Sequence, residues 1–194
     1  MDNTVIQNFK TYIQQFVEIS DEQIVSFIKA TTKVTYKKGD YFSIPDKPSS
    51  FMGLVIKGLF RAYVFDKENR EVILDFMGEN NIVSSFGGII LNQFIPIYIQ
   101  ALEDSDIYII SRDDFIKLWE NDTKWKEFLQ KQAESVSLVS RQRYISLLVD
   151  DAKTRYLKFL NDYKPFENRI KLGYIASYLG ITSETLSRIR SSPL

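Results

Sequence analysis

Residues 172–191 read LGYIASYLGITSETLSRIRS. Ile175, Leu179, Ile181, Leu186 and Ile189 recur where two short crossed helices must bury one shared face. Ala176 is small enough to let the second helix cross the first closely. Gly180 falls where the turn between them needs a positive φ, a conformation cheap only for glycine. Thr182 suits the N-cap of the second helix, and Glu184 lies in its first turn, where the helix dipole favours negative charge. The pattern predicts a helix-turn-helix. An ordinary packed helix pair explains the apolar positions too, but not why Ser183, Glu184, Ser187 and Arg188 gather at the exposed start of the second helix. A recognition helix accounts for that cluster, because it carries its reading residues at its N-terminal end.

Charge agrees with this placement. The chain of 194 residues is neutral, with 25 Lys or Arg and 25 Asp or Glu. From Arg141 to Leu194 there are ten Lys or Arg and five Asp or Glu, a local charge of +5, leaving −5 on residues 1–140. Positive charge thus collects beside the motif, as phosphate binding requires. A modest excess of this kind is also common on solvated helices, so the charge supports the motif without proving it.

Composition excludes more than it selects. Hydrophobic residues make up 44% of the chain, enough for a substantial core. There is no Cys and no His. Iron–sulfur clusters and haem cannot be held through those side chains, nor can a zinc site be built from them. Ser–His–Asp and Cys–His catalysis are equally closed. An enzyme on a histidine-metal barrel is set aside for the same reason, and no enzyme activity is expected. The N-terminus is polar, without a signal-type apolar run, and no stretch has the length of a membrane span, so a cytoplasmic protein without membrane contact is expected.

Upstream of the motif the rhythm changes twice. Residues 2–31 carry Ile6, Phe9, Ile13, Phe16 and Val17, then Ile24, Phe27 and Ile28, at helical spacing, with Ser20 and Gln23 forming a capping box between the two groups. From Lys33 short β-type runs follow: 33–36, 41–44, 51–57, 59–65, 71–77, 97–102 and 106–111. Turns such as Lys38-Gly39-Asp40 and Asp66-Lys67-Glu68-Asn69 separate them. Many short strands at this interval suggest a barrel or jelly roll. A long helical region begins near Asp113. Within it Trp125, Leu129, Gln132, Val136 and Val139 fall at a/d spacing. They suit a dimer seam, or equally a helix packed on its own barrel. A further amphipathic helix is read over 141–163.

The order of these parts resembles the Crp-Fnr transcription regulators over nearly the whole chain. Tyr36-Lys37-Lys38-Gly39-Asp40 is similar to the family's first barrel turn. The strand Phe51 to Gly58 is similar to its glycine-ended strand. Ala101 to Ser105, followed by Ile110 to Asp114, resembles the barrel's exit into a linker helix. Ile175 to Thr182 and Glu184 to Arg190 are the most specific match. The fold implied is α+β: a cyclic-nucleotide-binding-like jelly-roll sensor over 1–112, a dimerisation helix over 113–140, and a helix-turn-helix domain of winged-helix type over 141–194.

The resemblance also implies roles. Glu184 and Arg188 match the family's base-reading pair, and Ser187 a serine of its Fnr branch. Arginine grips guanine O6 and N7 in a bidentate way, and glutamate accepts from a cytosine amine. Ser183 stands where the cyclic-AMP branch has arginine, so a TTGA half-site is expected over GTGA. Arg169, Lys171, Thr182, Thr185 and Arg190 are expected at phosphates. Double-stranded DNA, a second copy of the chain and RNA polymerase are the implied partners. The family's phosphate cassette is altered: the ribose-binding glutamate is missing, and no Arg or Lys occurs between Arg70 and Arg112. Cyclic AMP is therefore not expected, and no cofactor is assigned. Phe86, Gly87, Gly88, Ile89, Phe94 and Tyr98 are candidates for lining a pocket for another effector, although plain core explains them better. The competing function is a cyclic-nucleotide receptor with a vestigial helix-turn-helix.

Overall fold

A computed structural model describes residues 3–45, 50–84 and 97–191. Two N-terminal helices come first, α1 (Asn3–Ile13) and α2 (Asp21–Lys29). The capping box between them forms as read: Ser20 Oγ accepts from the Gln23 amide at 3.2 Å, and Gln23 Oε1 accepts from the Ser20 amide at 2.9 Å. Among the described residues eight strands follow: β1 (Thr32–Tyr36), β2 (Tyr41–Ser43), β3 (Phe51–Lys57), β4 (Phe60–Phe65), β5 (Glu71–Met77), β6 (Ile82–Ser84), β7 (Tyr98–Ala101) and β8 (Ser105–Ser111). Sequence periodicity missed only β6. Its three residues pair with Met52, Gly53 and Leu54 of β3.

The strands form two four-stranded antiparallel sheets, ordered β1-β8-β3-β6 and β2-β7-β4-β5. Apart from the β4–β5 hairpin, successive strands lie in opposite sheets, which makes a jelly roll. Strand alternation divides the side chains. Val55, Phe60, Ala62, Met77, Val83, Ile99, Ala101 and Ile107 form the core between the sheets. Met52, Leu54 and Ile110 point out of the first sheet into a second core shared with Phe9, Phe27, Phe115, Trp125 and Phe128. The N-terminal helices are thereby fastened to the barrel; the Phe27 and Trp125 rings stack at 4.8 Å.

The helical region after the barrel differs from its reading in two places. It is broken at Asp122, which ends α3 (Arg112–Asn121) and caps α4 (Thr123–Val149) by accepting from the Lys124 amide at 2.9 Å. It is not broken at residue 140, because α4 runs on to Val149, and the next helix begins only after Asp150 and Asp151. Asp151 caps α5 (Ala152–Asp162). A 3₁₀ turn (Glu167–Arg169), α6 (Leu172–Leu179) and α7 (Ser183–Ser191) complete the chain. Among the described residues this last unit is wholly helical, so the strands of a winged helix have no counterpart in it.

Helix α4 also corrects the seam. Trp125, Leu129 and Gln132 are buried inside the chain's own N-terminal core, with Gln132 Nε2 donating to the Tyr12 hydroxyl at 2.7 Å. Those three positions are filled by the chain itself and cannot meet a second copy. Val136 and Val139, on the same face, are exposed. Leu147 is exposed on that face too, while exposed Leu138, Ile145 and Leu148 lie on the opposite side of the helix.

Candidate nucleic-acid interface

Helices α6 and α7 meet as the sequence predicts. Ile175, Ala176 and Leu179 of α6 and Leu186 of α7 are buried in one cluster, with Ile181 and Ile189 packed against it. Gly180 takes φ 65° and ψ 38°, and the Ile181 amide reaches back to Ala176 O at 3.0 Å, closing the end of α6. Thr182 caps α7, its Oγ1 accepting from the Thr185 amide at 3.2 Å. A three-residue turn thus sets the angle between the helices.

Helix α7 shows two faces. Leu186 is 1% exposed and anchors the inner one. Ser183, Glu184, Ser187 and Arg188 are all exposed, and spacings of three and four residues place them on one outer face. The Glu184 carboxyl is held below the usual carboxylate range by its own amide and the Thr182 hydroxyl, with nearby Arg188 acting the same way. At neutral pH it therefore offers only acceptors. Arg190, on the same helix, and Lys171, at the start of α6, are exposed, and the Lys171 ammonium lies 5.7 Å from the Tyr174 ring.

Arg169 departs from its expected role. Its guanidinium makes a fork with Glu79 (3.0 and 2.9 Å), approaches Glu103 at 3.5 Å and donates to Gly58 O at 3.2 Å. These donors hold the C-terminal unit to the barrel instead of facing solvent. Local spacing hides this, because Glu79 lies 90 residues away.

The same docking recruits residues that sequence reasoning missed. Strand β5 is the edge of its sheet, so its outer amides and carbonyls need partners. Ser177 of α6 accepts from the Ile73 amide at 3.1 Å and donates to Glu71 O at 2.9 Å. Arg143 of α4 donates to Leu74 O (2.7 Å), Ile73 O (3.0 Å) and Tyr178 O (2.9 Å). Buried Arg61 forms a fork with Glu71 and lies 4.2 Å from both the Tyr63 and Tyr174 rings. Gly78 lets Phe166 sit flush on the barrel, since a Cβ there would lie 2.6 Å from the Phe166 ring.

Of the expected effector-pocket residues, Phe86, Gly87, Gly88, Ile89 and Phe94 lie outside the described residues. Tyr98 is placed, but on the outer face of its sheet, stacked on Tyr63 at 5.0 Å. Alternation along β7 sends Ile99 and Ala101 inward instead. Arg61, the one buried cation among the described residues, likewise faces outward to Glu71. The described interior is apolar and supplies no cation for a cyclic phosphate.

Comparison with known proteins agrees with this architecture. Residues 33–122 match the cyclic nucleotide-binding domain family, covering the barrel from β1 to the end of α3. No curated protein matches the sequence. Among solved structures, FixK2 from Bradyrhizobium japonicum superposes with a TM-score of 0.71 at 21% identity, over 83% of each chain. The c-di-GMP responsive global regulator CLP of Xanthomonas campestris gives 0.70 at 16% identity, over 88% of this chain and 89% of that one. A putative transcriptional regulator of the Crp/Fnr family from Eubacterium rectale gives 0.69 at 17% identity, over 92% and 85%. Residues 33–122 are thus similar to cyclic nucleotide-binding domains, and the chain shares its overall fold with these solved structures. No described helix is long and apolar enough to cross a membrane.

Proposed function

We propose that this chain is a sequence-specific DNA-binding transcription regulator of Crp-Fnr type, acting as a homodimer on a palindromic site in the cytoplasm. The observation that carries the reading is the outer face of α7. Four polar side chains able to read base edges are exposed there, on a helix whose opposite face is buried. Glu184 and Arg188 read bases, with Ser183 and Ser187 beside them. Lys171, Thr182, Thr185 and Arg190 contact phosphates, which position the protein without specifying sequence. RNA polymerase is the further partner of such a regulator, and no catalytic step is assigned.

Dimerisation rests on α4. Leu138, Ile145 and Leu148 fall seven and three residues apart and are 57%, 49% and 67% exposed. That spacing makes an a/d seam, and two parallel copies would place two α7 helices on successive major grooves. The test is fluorescence anisotropy with a TTGA-type palindrome and a scrambled duplex at two salt concentrations. Tight binding to the palindrome alone supports the reading. Equal, salt-sensitive binding to both overturns sequence specificity.

The match of residues 33–122 to the cyclic nucleotide-binding domain family favours a second reading, a nucleotide receptor with vestigial DNA binding. The apolar, cation-free described interior opposes it. A thermal-shift series with cyclic nucleotides separates the two, because a ligand specific to the folded state raises Tm. Absence of any shift at millimolar concentration removes the receptor reading.

A further inference from the structure

Only Asp150 and Asp151 separate α4 from α5, and neither is a glycine. How the C-terminal unit sits on the end of α4 therefore depends on what crosses this joint. Two guanidinium groups cross it, one from each side.

They converge on the end of α6. A helix leaves its last four carbonyls without partners in its own ladder. In α6 these belong to Ala176, Ser177, Tyr178 and Leu179. The Gly180 turn takes the first two: the Gly180 amide donates to Ser177 O at 3.1 Å and the Ile181 amide to Ala176 O at 3.0 Å. Arg143 of α4 takes Tyr178 O at 2.9 Å, and Arg155 of α5 takes Leu179 O at 2.9 Å. Cations suit this position, because the helix dipole is negative at its C-terminal end.

Both arginines hold a second element as well. Arg155 donates to Asp150 O at 2.6 Å, the carbonyl that follows α4. Arg143 donates to Ile73 O and Leu74 O of β5, and its guanidinium lies 4.1 Å from the Tyr178 ring. Leu147 stands against the turn, 3.5 Å from where a Cβ on Gly180 would lie. Swinging the C-terminal unit about the joint breaks the Arg143–Tyr178 and Arg155–Asp150 bonds together. The Lys158–Asp150 pair also crosses the joint, but its ammonium is largely exposed and adds little. At 3.6 residues per turn, Arg143 and Leu147 lie across α4 from Leu138, Ile145 and Leu148. The brace and the proposed dimer seam thus use different faces of one rod.

In a dimer joined through α4, the pose of α7 on its rod sets the separation and the rotational phase of the two half-sites. One base pair changes these by about 3.4 Å and about 35°. Building on the dimeric DNA-binding reading above, we infer that Arg143 and Arg155 are positioning residues that fix α7 relative to α4 and so select the spacing between half-sites. They act through the end of α6, not by touching a base.

The test has one arm without DNA and one with it, both on the full chain. The chain has no cysteine, so Ser135→Cys on α4 and Ser191→Cys on α7, both exposed, give two unique spin-label sites. Labelled chain diluted in unlabelled chain reports the distance within one copy by electron–electron double resonance. The parent is expected to give a narrow distribution, and Arg143→Gln and Arg155→Gln to about double its width. In the second arm, anisotropy compares a single half-site with palindromes whose spacers differ by one base pair. The parent is expected to prefer one spacer by about tenfold or more, because a wrong span prevents both α7 helices from engaging at once. The two variants should lose that preference while binding the single half-site as the parent does.

A purely structural role would lower binding to all duplexes alike and leave the distance width unchanged, which overturns the inference. So does a widened distribution with spacer preference intact. A salt slope reduced by about 0.9 on every duplex would make the arginine a phosphate contact, and rejects the brace. Should a variant misfold by circular dichroism, the parent decides, since a broad distribution there rejects the brace without any substitution. If the parent prefers no palindrome over scrambled DNA, it is the proposed function that fails, and the label distances still judge the brace separately.

Discussion

Gly180 and Thr182 do most of the local work in the helix-turn-helix. Gly180 sits at φ 65°, where a side chain costs about 1–2 kcal/mol. Space is not the obstacle, since a Cβ there would meet only Leu147 at 3.5 Å. Gly180→Ala should therefore lower unfolding free energy by about that amount, and Gly180→Asn by less, because asparagine tolerates the left-handed region. Urea titration of both variants checks this, and equal losses would point to packing instead of backbone conformation. At the reading face, Arg188→Ala should weaken cognate DNA binding by about 1–3 kcal/mol and relax preference at one base pair. Anisotropy against a set of single-base variants of the palindrome measures both effects.

Among the elements, the edge strand β5 and the helix α4 carry the sharpest expectations. Ser177 serves one amide and one carbonyl of that edge. Ser177→Ala leaves both without their partner and should cost about 1–3 kcal/mol, with faster hydrogen exchange at the Ile73 amide. Ser177→Thr, which keeps the hydroxyl, should lose less. Helix α4 separates two roles along one rod. Trp125→Ala hollows the N-terminal core and should cost about 3–5 kcal/mol. Leu138→Glu paired with Ile145→Glu should leave stability of the fold intact but convert the proposed dimer to monomer in sedimentation velocity. A dimer that survives that double substitution would place the seam elsewhere.

At the level of the whole molecule, the C-terminal helical unit is docked on the barrel through Phe166, Arg169, Ser177 and Arg143. The Arg169–Glu79 fork has a pH signature. Burial works against ionising Glu79, but Arg169 and the Gly58 amide outweigh it and hold its carboxyl below the ordinary value. A depressed carboxylate stabilises the fold above its unfolded pKa, near 4.5, and that contribution disappears as pH falls through the lower folded value. Both side chains are about one-third exposed, so the contribution is about 1 kcal/mol or less. Glu79→Gln should accordingly melt below the parent at pH 7, and the two melting curves should converge as pH drops from about 4.5 toward 3. A difference in Tm that stays constant down to pH 3 would mean that Glu79 acts by shape, not charge.

These scales differ in how far they can be read from residue order. The capping box at Ser20, the seven strands other than β6, the turn at Gly180 and the cap at Thr182 each depend on residues within a few positions of one another. Backbone sterics and side-chain periodicity act over that distance, so the amino-acid order is enough to place them. The a/d spacing of Trp125, Leu129 and Gln132 was equally visible, but periodicity says only that a helix face is buried, not by what. The neighbouring α1 and α2 bury it here, and the exposed stripe passes to Leu138, Ile145 and Leu148. Arg169 looked like any basic residue beside a reading helix until the fold brought Glu79 across to it. Ser177 and Arg143 had no signal at all, because the β5 edge that they satisfy exists only once the sheet has formed. Hydrogen bonds spanning 69 to 106 residues are set by how the packed units meet, and that geometry lies beyond the reach of local pattern.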